Sequence, residues 1–308
     1  MAHPAGSAAR QTIKGNAAAI TSRENRWLKR FRAALSGERA DDGTVGIEGV
    51  RLVEAALGSG LLVEALLVSE SGERHLPRVA PVLGSTVPVL RTSDKLFASV
   101  ADTRTPQGIA ALVQPRQSTL EKLLPGTALL VVLAGVQNPG NVGTIVRAAE
   151  AFGATGAVTC AADGIGTSDP FGPKALRASA GSALRLPIVH GISSTILLGQ
   201  LKIFRVKVYA AVVAATATGN SNKKTSEAAS PLLCPWDIDW KTPSAILIGN
   251  EGSGLPTDLL RAADARVYIP QAAATAPVGI ESLNAAMAAS VLLYEAMRQR
   301  NIVRQPRS

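Results

Sequence analysis

Asn141 and Arg147 lie in "VQNPGNVGTIVRAAEAFGA" (136–154), after an apolar run from Ala128 to Val136 and a turn of Asn, Pro and Gly. Glycine turns between a strand and a helix commonly cradle phosphates through backbone amides. Neither the dinucleotide fingerprint G-x-G-x-x-G nor the triphosphate loop G-x-x-x-x-G-K-[ST] can be read here. A second turn, "AILIGNEGSGLP" (245–256), places Gly249, Glu251, Gly252 and Gly254 after an apolar strand. Three glycines around one carboxylate leave room for a flat ligand against bare backbone. In "VYIPQAAATAPVGIESLNAAMAASVLLYEAMRQR" (267–300), Ile269 and Pro270 end a short strand. A loop follows, and Glu281, Ser282, Leu283 and Asn284 then open a long apolar helix. Singly, each loop has a plain reading. Arg147 could pair with Glu150 at i+3, and Ser282 could be only a cap.

The elements that must hold these loops alternate. The pattern predicts strands at 128–136, 156–160, 206–214, 244–249 and 266–269. Helices are predicted at 142–152, 174–183, 193–201, 256–263 and 281–299, with Asn141 at the N-cap of the first. Gly140 and Gly143 leave that helix's backbone open to close approach, and Gly153 ends it. Alternation of this kind gives a parallel sheet covered on both faces, with ligands at the carboxyl ends of its strands. Residues 216–230 are polar and of low complexity, and read as a flexible surface insertion.

Upstream, "SRENRWLKRFRAAL" (22–35) reads as an amphipathic helix with Trp27, Leu28, Phe31 and Leu35 on one face. A second strand–helix set runs from "TVGIEG" to "GIAALVQP". It includes the helix "VRLVEAALGSG", capped by Gly58 or Gly60, and a helix opened by Ser93. We therefore expect a basic arm over 1–19, a small α/β domain over 20–117 and a second domain over 118–308, with the boundary in "PRQSTLEKLLPG".

A net charge of +9 favours a polyanionic partner, nucleic acid first. Basic residues gather at both ends, including Arg298, Arg300, Arg304 and Arg307, although a merely solvated basic surface is the plain alternative. Cys160 and Cys234 are too few for a disulfide framework or a zinc site, which suits a reducing, cytoplasmic setting. No apolar run is long enough to span a membrane. The three histidines have no catalytic context, and no metal is expected.

"NPGNVGTIVRAAEAFGA", "LIGNEGSGL" and "IP…ESLNAAMAASVLLYE" resemble, in order, the three signature motifs of the SpoU (TrmH-like) RNA 2′-O-ribose methyltransferases of the SPOUT superfamily. The likeness covers roughly 128–299, and "KALRASAGSALRLP" resembles that family's basic linker helix through Lys174 and Arg177. The N-terminal part resembles a ribosomal-protein-like RNA-binding domain. The resemblance implies an α/β catalytic domain whose C-terminal segment threads a trefoil knot, a rare connection. It also implies a homodimer and S-adenosylmethionine as methyl donor. Gly249, Ile269, Pro270 and Leu283 would hold the cofactor, largely through backbone groups, together with Glu251. Glu251, Ser282 and Asn284 would position cofactor and ribose, and Asn141 would support Arg147.

The family's arginine is often given the role of base. Keeping an arginine neutral near pH 7 costs upward of ~7 kcal/mol, so a charged Arg147 that clamps phosphate and steadies the developing alkoxide is the less costly reading. Arg23, Arg26, Lys29, Arg30, Arg32 and Arg51 are the expected phosphate contacts. Structured RNA is the expected partner, with ribosomal RNA favoured over transfer RNA. The loop after Pro270 is longer than usual in the family, and Gln271 stands where an apolar residue is common. The competing readings are an RNA-assembly factor that has lost turnover and a nucleotide hydrolase, the latter lacking both a loop lysine and a carboxylate pair.

Overall fold

In the computed structural model the chain divides between Gln114 and Pro115 into two units. The structure describes residues 19–39, 42–161, 164, 166–213, 230–272 and 282–300. The expected arm over 1–19 apart from Ala19, the insertion apart from Ser230 and the loop 273–280 lie outside them, as do Glu281, Arg304 and Arg307.

The N-terminal unit contains strands β1 (Ala19–Ile20), β2 (Val45–Glu48), β3 (Leu62–Ser69), β4 (Val89–Thr92) and β5 (Ile109–Gln114). Its helices are α1 (Arg26–Ser36), α2 (Val50–Gly58), α3 (Leu76–Val79) and α4 (Asp94–Ala98). The strands form one mixed sheet in the order β1-β4-β3-β5-β2. Helix α1 is capped by Asn25, whose side chain accepts from the Trp27 amide, and it buries Leu28, Phe31, Ala34 and Leu35. Trp27 packs at the edge of that cluster. Ser93 caps α4 through the Leu96 amide. Of the two glycines, Gly60 closes α2: it turns left-handed just after Ser59, and the amides of Gly60 and Leu61 donate to the carbonyls of Leu57 and Ala56 in a Schellman motif.

The C-terminal unit contains β6 (Leu129–Ala134), β7 (Gly156–Cys160), β8 (Ile188–Ile192), β9 (Lys207–Ala211), β10 (Leu232–Leu233), β11 (Ser244–Ile248) and β12 (Ala265–Val267). Its helices are α5 (Leu120–Leu123), α6 (Pro139–Ala151), α7 (Pro173–Ala178), α8 (Ser194–Ile203), α9 (Thr257–Ala262) and α10 (Ala285–Gln299). The strand order is β10-β12-β9-β11-β6-β7-β8, and every pairing is parallel. Central strands buried on both faces read as near-continuous apolar runs, and all of β6 and β11 is buried, Ser244 at the start of β11 included.

The element ends depart from the sequence reading for local reasons. β6 stops at Ala134 because Gly135 turns left-handed at φ 74°. α7 ends at Ala178 rather than 183 because Ala180 and Gly181 both adopt positive φ. β8, absent from the strands expected above, contains His190.

Gly143 is buried, so the expected open backbone is instead a helix contact. A Cβ there would lie 2.3 Å from the Ala175 carbonyl oxygen and 2.9 Å from the Ser179 nitrogen, both in or next to α7. Gly143→Ala is therefore expected to lower stability by about 1–3 kcal/mol through forced separation of α6 and α7. Thermal unfolding checks this, and a midpoint equal to the parent's would show that α7 yields freely.

Candidate functional site

The loops after β6, β11 and β12 all leave the carboxyl edge of the parallel sheet, where a ligand site is expected. The first is fixed by Asn138, not Asn141. Pro139 takes the first helical position, where a missing N–H costs nothing. The Asn138 side chain accepts from the amides of Gly140 (2.8 Å) and Asn141 (3.4 Å). Asn141 thus falls in the first turn of α6 with its own side chain free to reach outward. Behind it, the Thr167 hydroxyl accepts from the Gly135 amide at 2.9 Å, and Ser168 hydrogen-bonds the Gln137 carbonyl.

The second loop folds on itself. Asn250 and Gly254 exchange two backbone hydrogen bonds, and the Asn250 Oδ1 accepts from the Gly252 and Ser253 amides. Its Nδ2 donates to the Gly135 carbonyl at 2.8 Å, stapling this loop to the first. Gly249 is obligatory, since a Cβ would sit 2.5 Å from the Gly254 carbonyl carbon. Glu251 stands exposed at the tip.

The third loop ends at Asn284, which caps α10 by accepting from Ala286 (2.8 Å) and Met287 (3.4 Å). Ser282, read as a cap or first-turn residue, lies before the helix and is exposed, because Asn284 takes the capping position. Leu283 and Ile269 are half-buried, and Pro270 is exposed.

Three residues from three loops then meet. Asn141 Nδ2 donates to Glu251 Oε1 at 2.8 Å, and Asn284 Nδ2 donates to Asn141 Oδ1 at 3.1 Å. Arg147 is not in this cluster. Six residues at 100° each turn it about 240° around the helix from Asn141, and both ends of the Asn141 amide are already engaged. Arg147 is exposed on the face of Thr144 and Ala151, and no described residue hydrogen-bonds it. Its i+3 pairing with Glu150 is ruled out by Arg185, whose guanidinium grips both Glu150 oxygens at 2.6 and 2.7 Å.

That grip holds the Glu150 carboxyl below its ordinary range. A depressed carboxylate adds stability above its unfolded value of 4.5, and the gain is lost as pH falls through the folded value. Arg185→Met is therefore expected to flatten the acid limb of stability, by under about 1 kcal/mol because water reaches part of the pair and screens it. Urea midpoints at neutral and acid pH measure it, and a parent-like difference between them refutes it.

Lys174 and Arg177 are exposed on α7. In the N-terminal unit Arg23, Arg26, Arg32 and Arg51 are exposed. Lys29 pairs with Glu24 at 2.6 Å, and Arg30 is committed to Glu64 (2.6 Å) and Asp42 (3.0 Å). The C-terminal basic set is also altered. Arg298 grips Glu295, and Arg300 is occupied by backbone carbonyls rather than presented to a polyanion. Sequence reasoning missed Asn138, Asn250 and Thr167. Asn-Pro before a helical pattern could have revealed the first. Asn250 heads a local Asn turn in a glycine-rich loop, a signal that was there to be read, whereas nothing local marks Thr167, whose bonds to Gly135 and Leu133 are long-range.

The model of the SpoU rRNA Methylase family matches residues 128–294, and that of the MRM3-like substrate binding domain matches 32–111. The chain is 33% identical, over 89% of its length and 97% of the relative's, to the 23S rRNA (guanosine(2553)-2′-O)-methyltransferase of Bacillus subtilis. It is 31% identical, over 91% and 92%, to the 23S rRNA (uridine(2479)-2′-O)-methyltransferase of Streptomyces viridochromogenes. Among solved structures, an AdoMet-bound rRNA methyltransferase from Sinorhizobium meliloti superposes with a TM-score of 0.73 at 28% identity, covering 92% of this chain and 98% of that one.

Proposed function

The chain belongs to the SpoU rRNA methylase family, and we propose that it transfers a methyl group to a ribose 2′-hydroxyl of ribosomal RNA. The observation that carries this is the Asn284–Asn141–Glu251 cluster, which draws the three motif loops to one place at the sheet's carboxyl edge.

The residues present suit S-adenosylmethionine. Gly249 presents bare backbone, and no described residue engages the main-chain amides of half-buried Ile269 and Leu283. Neutral amides and an apolar wall match the edge and face of an adenine; Pro270 borders the same slot. When bound, the cofactor supplies an electrophilic methyl group already activated on a sulfonium. Glu251, with one oxygen fixed by Asn141, offers the other as an acceptor for a hydroxyl, and Ser282 brings a further hydroxyl on the third loop, two residues before Asn284. Arg147 stays charged, clamps a phosphate of the target and steadies the 2′-oxygen as its proton passes to water.

Arg147 faces away from the cluster in its own chain, which fits a site completed by a second copy. A homodimer is further supported by α10, where Met287, Val291 and Tyr294 form one exposed apolar stripe at i, i+4 and i+7. The Tyr294 ring meets Phe152 edge to face at 5.8 Å. The knot belongs to the same reading. β12 lies beyond β9 from β11, yet α10 returns to pack on α6 and β11. We assign 20–117 to RNA binding and 118–308 to catalysis. The exposed arginines of α1 and α2, with Lys174 and Arg177 of α7, are the proposed RNA contacts. No helix of the described residues is long and apolar enough to cross a membrane, and we place the enzyme in the cytoplasm with its ribosomal substrate.

The test is methyl transfer from labelled S-adenosylmethionine to unmodified ribosomal and transfer RNA in separate reactions. Label in ribosomal RNA that resists alkaline cleavage at the modified position supports the reading. Label confined to transfer RNA changes the substrate, and no label in either sinks the activity.

A further inference from the structure

We propose that Asn284 sets the hydrogen-bond direction of the whole cluster and is thereby a positioning residue for Glu251. The inference rests on the functional reading above but is derived from a chain of donors. Backbone N–H groups can only donate. The amides of Ala286 and Met287 point into the Asn284 side chain, so the atom they meet must be its oxygen. The Asn284 NH2 group is then forced outward and donates to Asn141. Asn141 must answer with its oxygen, which turns its own NH2 group toward Glu251.

Every link donates in one direction, from the first turn of a 15-residue helix to a carboxylate. Successive links of this kind polarise and strengthen one another, and the positive end of the helix is extended to Glu251. Neither Asn141 nor Asn284 can flip without setting two like groups face to face. Glu251 is thereby held with one oxygen anchored and the other presented. A helix cap thus orients a group in a loop that follows a different strand.

The test separates capping from direction. Asn284→Asp keeps a good cap but removes the donor. It is expected to leave amide exchange at Ala286 and Met287 protected, while methyl transfer falls at least about 10-fold because Glu251 is no longer held. Glu251→Gln supplies the decisive second variant, read by calorimetric unfolding of the full chain. In the parent it replaces a charged acceptor by a neutral one and lowers the midpoint or leaves it unchanged. In the Asn284→Asp background the introduced carboxylate can accept from Asn141, whose turned amide then accepts from the introduced carboxamide at position 251. The relay runs in reverse there, so the same change is expected to raise the midpoint, by roughly 2–4 °C. Opposite signs in the two backgrounds establish the relay. Equal effects in both overturn it and leave Asn284 a cap only. Because the sign is read without cofactor or RNA, a relay that holds in a protein without methyl transfer removes the functional reading alone. Methyl transfer with additive midpoints removes the relay alone.

Discussion

Arg147→Ala is expected to lower methyl transfer by roughly 100- to 1000-fold, the usual loss when one donor aimed at developing charge is removed. The fold should not notice. Arg147 is exposed, and no described residue hydrogen-bonds it, so stability should move by less than about 0.5 kcal/mol. A residue with that combination, large in rate and silent in unfolding, is acting on substrate. Arg147→Lys divides the remaining possibilities. Lysine keeps the charge and loses the planar fork, so partial recovery supports an electrostatic clamp. Full activity with a displaced pH–rate profile would instead restore the base role. Steady-state rates on ribosomal RNA at several pH values, beside thermal unfolding, decide it.

Arg300→Ala is expected to be the opposite case, with stability lost first. The guanidinium at the end of α10 donates to four carbonyls: Trp240 (2.6 Å), Thr127 (2.7 Å), Thr242 (2.9 Å) and Ala128 (3.0 Å). These carbonyls belong to the approaches to β6 and β11, so one side chain joins the end of α10 to the lower edge of the sheet. Burial pushes its proton affinity down, yet arginine stays charged at any working pH. Hydrogen bonds to a charged donor contribute about 1.5–3 kcal/mol each when their partners would otherwise be stranded. Water can reach part of this site, so we expect a total loss of about 2–4 kcal/mol. The midpoint should fall by roughly 5–15 °C. Arg300→Lys should recover less than half, since an ammonium cannot span four carbonyls in a plane. A midpoint within about 2 °C of the parent would falsify the clamp.

The core strands were legible because a parallel sheet buried on both faces reads as near-continuous apolar runs, as in "LLVVLA" and the "AILI" that follows Ser244. Their ends were less so. Gly135 signalled nothing until its left-handed turn was seen, and an alanine at positive φ, Ala180, contradicts every local preference. Helix α6 began three residues early because Asn138 and Pro139 form a complete start signal that the attractive Asn141 overshadowed. At the site, residue types and loop order made Asn141, Glu251 and Asn284 visible. Their union was not, since the bonded pairs lie 110 and 143 residues apart. Arg147 lies only six residues after Asn141, yet the helical angle, not nearness in sequence, sets the two on different faces of α6.

The anchoring of α10 at both ends has a bearing on when this protein becomes competent. Asn284 closes the site at one end of the helix, and Arg300 locks the other to the approach of β6, made more than a hundred residues earlier, and to that of β11. A nascent chain that has exposed only the first two motif loops therefore holds neither a capped relay nor a finished sheet edge. Competence must wait until residues 284–300 have left the ribosome.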